Sequence, residues 1–184
     1  MLLMFASVFY SCMASSEKKG NNPPDRNRSI FQKRGTGKCV KIKGTTLEYL
    51  STSPLTEDAM GIYRVTIAPE SPGAGLHYHQ RMTETFEIQK GILSMMLDGQ
   101  AVEAEEGDFV LVSPGSIHGF ANHSKMPVVF TLTFTPALAR EGFFEGLAEL
   151  ADTQRLTDKN AMLTLMEKYD QVPVEGVEAW NRKI

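Results

Sequence analysis

Residues 73–91 read GAGLHYHQRMTETFEIQKG, and His77, His79 and Glu84 within that stretch govern the reading of the whole chain. On a strand, residues two apart point to the same face, so the imidazoles of His77 and His79 can reach one point. From Thr83 to Gln89 the residues alternate, with Glu84, Phe86 and Ile88 on one face and Thr85, Glu87 and Gln89 on the other. A carboxylate heading an apolar inward row is costly to bury without a cation.

The chain contains four His in all. A third, His118, lies in GDFVLVSPGSIHGFAN (residues 107–122), where it shares a face with Phe120 and Asn122. The fourth, His123, falls on the opposite face and is read as a surface residue. Taken singly, each of these residues has a plainer reading: a His near a strand end is usually a surface or core-edge group, and a strand Glu is usually solvated. Their joint spacing favours one metal site made of His77, His79, Glu84 and His118. Imidazole and carboxylate together suit one divalent transition metal (iron, nickel, manganese, copper or zinc) better than calcium or magnesium.

Working outward, residues 39–135 read as short strands separated by turns, with no helices between them. Tyr63, Val65 and Ile67 alternate with Arg64 and Thr66, and Pro69, Pro72, Gly73 and Gly75 then mark a loop. Asp98-Gly99 is a hairpin signal. Val128, Phe130, Leu132 and Phe134 alternate with Thr131, Thr133 and Thr135. This spacing predicts an all-β antiparallel sandwich or barrel. Beyond Pro136, Phe143, Phe144, Leu147, Leu150 and Ala151 fall at helical spacing, as do Met162, Leu165, Met166 and Tyr169. Two amphipathic helices are expected, closing over the barrel or over a neighbouring subunit. The organisation expected is residues 1–37 as a leader-like or disordered segment, 38–136 as the barrel, 137–172 as helices and 173–184 as a tail.

The two quoted stretches resemble the paired motifs of the cupin family. His77, His79, Glu84 and Gly91 match the first motif; Gly107, Gly115, His118 and Asn122 match the second. The resemblance covers residues 62–136 and, more loosely, the strands from Cys39. Two turns depart from the pattern: Ser71 stands at the family's early Gly, and Ser113-Pro114-Gly115 replaces Pro-x-Gly. The resemblance implies a single jelly-roll β-barrel with C-terminal helices, similar to quercetin dioxygenase-like monocupins. It also implies a metal held by the three His and the Glu, and a homodimer paired through edge strands.

Composition bounds the alternatives. A length of 184 residues suits one domain, and 42% apolar with 22% charged residues is ordinary for a globular chain. The net charge of -3, without Lys/Arg clusters beside aromatics, argues against nucleic acid. MLLMFASVFYSC (residues 1–12) is an apolar run too short to cross a bilayer as a helix, and it lacks the positive n-region of a secretory leader. Phe9-Tyr10-Ser11-Cys12 resembles a loose bacterial lipobox, so membrane anchoring through a lipid on Cys12, with a periplasmic or membrane-anchored location, is the reading adopted. A start site placed too late, which would remove a basic n-region, and a disordered extension stand beside it, and the alternative location is cytoplasmic. The two cysteines, Cys12 and Cys39, form no C-x-x-C pair, and Cys39 reads as an unremarkable residue near a first strand.

Four protein ligands on an ion preferring five or six leave open positions. The expected pocket wall is apolar: Phe86, Ile88, Phe120, Phe130 and Leu132, with Met96 as a further candidate. Such a wall suits a small, planar or aromatic ligand that chelates through oxygen. The absence of Lys or Arg clusters on inward faces weighs against a phosphosugar isomerase. The function expected is a metal-dependent oxygenase in which Glu84 is both ligand and proton acceptor, the candidate catalytic residue. A non-catalytic binding or sensor module and a metal-dependent isomerase or lyase are the alternatives.

Overall fold

The computed structural model describes residues 29–174. The chain divides into two units, residues 1–31 and 32–184, and all the architecture below belongs to the second. The lipobox-like segment around Cys12 and the tail beyond residue 174 lie outside the described residues.

The order along the chain is β1 (Cys39–Ile42), β2 (Thr45–Ser51), α1 (Ser53–Thr56), β3 (Gly61–Ile67), β4 (Ser71–Pro72), β5 (His77–Tyr78), β6 (Thr83–Lys90) and β7 (Leu93–Leu97). It continues with β8 (Gln100–Ala104), β9 (Phe109–Val112), β10 (His118–Asn122), β11 (Val128–Thr135), α2 (Arg140–Asp152), α3 (Lys159–Lys168) and β12 (Val172–Pro173). One antiparallel sheet runs β1-β2-β3-β11-β6-β9; the other runs β12-β5-β10-β7-β8, with β4 also paired to β10.

The alternation expected of β3 and β11 is present. Tyr63, Val65, Ile67, Val128, Phe130, Leu132 and Phe134 are buried, while the residues between them are only partly covered. The two strands pair in register, Phe130 opposite Val65 and Leu132 opposite Tyr63, so their inward rows form one apolar surface. The second sheet closes on it. Phe86 of β6 and Phe130 of β11 meet Phe120 of β10 with ring centroids 5.4 and 5.7 Å away. The chain thus forms the jelly-roll expected, two facing antiparallel sheets around one core.

The turns obey backbone chemistry. Asp98 and Gly99 both have positive φ (46° and 86°), the primed turn that matches strand twist between β7 and β8. Gly91 has φ +81°, and a Cβ there would sit 2.8 Å from the Pro127 carbonyl oxygen, so both conformation and space demand glycine.

The two C-terminal helices close over the barrel itself. α2 buries Phe143 and Phe144, and the Phe144 ring lies 4.9 Å from that of Tyr63. α3 is more loosely held; Leu165 and Met166 pack against the core cluster while none of its residues is fully buried. The segment after α3 re-enters the second sheet: β12 pairs with β5, Val172 opposite Tyr78 and Pro173 opposite His77. Among the described residues no helix is long and apolar enough to cross a membrane.

Candidate metal centre

The four residues singled out by spacing converge. His77 lies on β5, His79 just past its end, His118 at the start of β10 and Glu84 near the start of β6. Register does the positioning: His118 is directly opposite His77 in one sheet, and Glu84 stands between Val112 and Phe134 in the other. The site therefore spans the two sheets at one end of the barrel. One donor atom from each residue lies within 4.8 Å of the others, and all four residues are at most 2% exposed.

The second nitrogen of each imidazole is engaged. Nδ1 of His77 contacts the Gly75 carbonyl oxygen at 2.7 Å, that of His79 the Asp170 carbonyl at 2.5 Å, and that of His118 the Ser116 carbonyl at 3.1 Å. A carbonyl can only accept, so each Nδ1 carries a proton, and in the neutral imidazole Nε2 is then the bare nitrogen that faces the centre. This is how proteins orient metal-binding histidines. Glu84 Oε2 lies 2.7 Å from His118 Nε2 and 3.2 Å from His79 Nε2, and His77 Nε2 is buried with no hydrogen-bond partner. A proton on Nε2 would satisfy His118 and His79 against Glu84 but would leave His77 Nε2 orphaned, whereas one cation shared by the four donors satisfies all of them. The residues present fit a divalent transition metal.

The electrostatics agree. Burial alone would push the Glu84 carboxyl up, but the His118 and His79 imidazoles outweigh it and hold it well below the usual carboxylate range. Burial drives His77 well below the ordinary imidazole value. An ionised carboxylate and a neutral imidazole are the forms that ligate metals. Burial disfavours the imidazolium of His118, but the Glu84 charge overrides this and raises its value.

Beside the donors is a cavity of about 270 Å³ that His77 and Glu84 help to line. Of the expected wall, Phe120 and Leu132 line it. Phe86, Ile88 and Phe130 do not; their side chains are fully buried in the core, although Leu132 opposite Phe86 and Val65 opposite Phe130 line the cavity. Met96 is half-buried and off the cavity, because the fully buried Met95 takes the inward position of β7. His123 is half-buried rather than a plain surface residue.

The rest of the wall comes from β1 to β3, Phe134 of β11, the loop at Gly73–Gly75 and the helices. Arg140, Phe143, Phe144 and Leu147 of α2 line the cavity, with Met162 and Met166 of α3. The signal was available: Arg140 precedes Phe143, Phe144 and Leu147 by three, four and seven residues, placing a cation on the apolar face of a helix. Asp170 and Gln171, which link the tail to the site, carry no such signal.

Two facing antiparallel sheets that bring an H-x-H pair, a Glu and a distant His to one point define a cupin. Residues 63–134 match the family model described as Cupin domain, so the chain carries a cupin domain. Among curated proteins it is 36% identical over 88 residues to quercetin 2,3-dioxygenase of Bacillus subtilis (46% of this chain, 26% of that protein). It is 28% identical over 98 residues to "Probable oxidoreductase patJ" of Aspergillus clavatus (52% of this chain, 29% of that protein). The chain thus spans less than a third of the length of either relative. Among solved structures, KdgF from Halomonas sp. is similar in fold, with a TM-score of 0.51 at 15% identity, covering 59% of this chain and 94% of that one.

Proposed function

We propose that the protein is a metal-dependent oxygenase acting on a small, oxygen-chelating substrate with an aromatic or planar body. The observation that carries this reading is the set of three Nε2 atoms and one carboxylate converging at the wall of an apolar cavity. The partial likeness to a quercetin 2,3-dioxygenase supports the reaction class. When bound, a divalent transition ion supplies Lewis acidity and redox chemistry at the positions left open by four protein ligands.

The residues of the chain do the rest. His77, His79 and His118, each fixed through Nδ1, hold the centre rigid. Glu84 points Oε2 at His79 and His118, which leaves Oε1 to accept the hydroxyl proton of a substrate. Phe120, Leu132, Phe134 and Phe143 exclude water and pack against the substrate ring.

The test begins with metal content, by plasma mass spectrometry, of protein purified without chelators or a His tag. About one iron, nickel, manganese or copper per chain is expected, and its loss in His77→Ala. Oxygen consumption with flavonol or diketone substrates then supports the reaction. Product formed without oxygen would favour an isomerase or lyase, and tight binding without product a binding module. No metal, even after reconstitution, would overturn the reading.

A further inference from the structure

Arg140, the first residue of α2, is 3% exposed and lines the same cavity as His77 and Glu84. Among the described residues no carboxylate forms an ion pair with it. Its partners are neutral: Nη1 donates to the Tyr169 carbonyl oxygen at 3.2 Å, and Nη2 to Gln171 Oε1 at 2.6 Å. Nε is buried and has no partner. The rings of Phe143, Phe134 and Phe144 surround the guanidinium, with centroids 4.0, 4.7 and 5.4 Å from its carbon. Burial pulls its pKa down to about 10, so it remains a cation at neutral pH.

The Glu84 and Asp170 carboxylates act on Arg140 through space but neither pairs with it directly, and a buried cation without a direct ionic partner is expensive. Two neutral hydrogen bonds and three ring faces offset part of that cost, and a hydrophobic residue at the same place would avoid it altogether. The position of Arg140 says what completes it. Among the lining residues the formal charges are those of Glu84 and Arg140. A divalent ion on the four donors therefore leaves the cavity with a net positive charge, enclosed by apolar walls that strengthen the field. The planar guanidinium has five N–H groups, of which two are engaged, and its geometry matches the two oxygens of a carboxylate.

We propose that Arg140 is the anion-binding residue of this cavity and that the ligand is a small organic acid. Its carboxylate pairs with the guanidinium, and its apolar body lies against Phe120, Leu132 and Phe143. This deepens the proposed function by naming the substrate class. It rests on that reading for the metal but not for the arginine.

The experiment is calorimetric titration of the full chain with salicylate and with its neutral counterpart salicylamide. Wild type, Arg140→Gln and Arg140→Lys are compared, each zinc-loaded and metal-free. Wild type should prefer salicylate by about tenfold or more, the scale of a charge-assisted hydrogen bond. Arg140→Gln should lose that preference while keeping its affinity for salicylamide and its zinc content, and Arg140→Lys should restore part of it. Should Arg140→Gln fail to fold, a rise in the wild-type melting temperature with salicylate and none with salicylamide decides the point, together with Arg140→Lys. Equal affinity for the two probes, no binding of salicylate, or a preference surviving in Arg140→Gln overturns the inference. Failure to take up zinc would instead sink the metal reading, and the metal-free titrations would still decide the role of Arg140.

Discussion

The carbonyl oxygen of Asp170 accepts a hydrogen bond from Nδ1 of His79 at 2.5 Å, across 91 residues of chain. The carboxylate of the same residue accepts from the backbone N–H groups of Gln80, Arg81 and Met82 at 3.0 to 3.2 Å. One residue beyond the last helix therefore orients a candidate ligand and also ties down the turn between His79 and Glu84. With β12 paired beside His77, the C-terminal segment is part of the scaffold of the centre.

Asp170→Ala keeps the backbone carbonyl that meets His79 but removes the carboxylate that holds the turn between His79 and Glu84, and should lower metal affinity by about 10-fold. Asp170→Asn keeps an acceptor oxygen and should recover most of it. Competition with a chromogenic chelator would measure both, and unchanged affinity in Asp170→Ala would show that the turn holds without its anchor.

Metal should also act as a folding ligand. A ion present at a hundred times its dissociation constant stabilises the folded state by about 2.7 kcal/mol. Removing it by chelation should lower the melting temperature of the wild type and leave that of His77→Ala or His118→Ala unmoved. Equal melting curves with and without chelator in the wild type would count against the centre.

Phe143 covers Arg140 and packs edge-on against Phe144, 5.9 Å between centroids. Phe143→Ala should cost roughly 3–5 kcal/mol by opening the wall, with metal content preserved. Urea unfolding and metal analysis on one preparation would test this; loss of metal would mean that α2 supports the ligands directly.

Away from the site, Glu48 and Arg64 face each other across β2 and β3 and pair at 2.6 Å. Burial pushes the Glu48 carboxyl up, but the Gly37 N–H, the Arg64 guanidinium and the Gly35 N–H together hold it below its ordinary value of 4.5. The stability this gives is complete above that value and is lost as pH falls through the depressed one. Arg64→Met should destabilise by about 1–3 kcal/mol at pH 7. Its urea midpoint should converge on that of the wild type in acid; a gap that widens in acid would contradict the assignment.

Oligomeric state can be tested at β9, an edge strand whose outward Phe109 and Leu111 are 63% and 56% exposed. A homodimer paired along this edge would cover them. Sedimentation should then show a dimer that Leu111→Lys converts to monomer without unfolding it. A wild-type monomer at every concentration would exclude the pairing.

The period-two alternations of β3, β6 and β11, the Asp98-Gly99 hairpin and the three-His, one-Glu constellation were all legible in the sequence. They are local: side-chain direction along a strand and the conformation of a turn depend on neighbours a few residues away. The amphipathic helices were legible for the same reason. Which apolar residues line the cavity and which fill the core was not. Phe86, Ile88 and Phe130 share their strand faces with Glu84 or Leu132, and which of these inward side chains meets the cavity depends on how the other sheet and the helices pack against them. Arg140 as a cavity cation, Asp170 as the carbonyl behind His79, and β12 beside His77 all depend on contacts between distant parts of the chain. The sequence by itself determined the candidate donors and the strands that carry them. The tertiary structure alone decided what surrounds those donors, because a cavity is made by elements that meet only once the sheets have closed and the helices have docked.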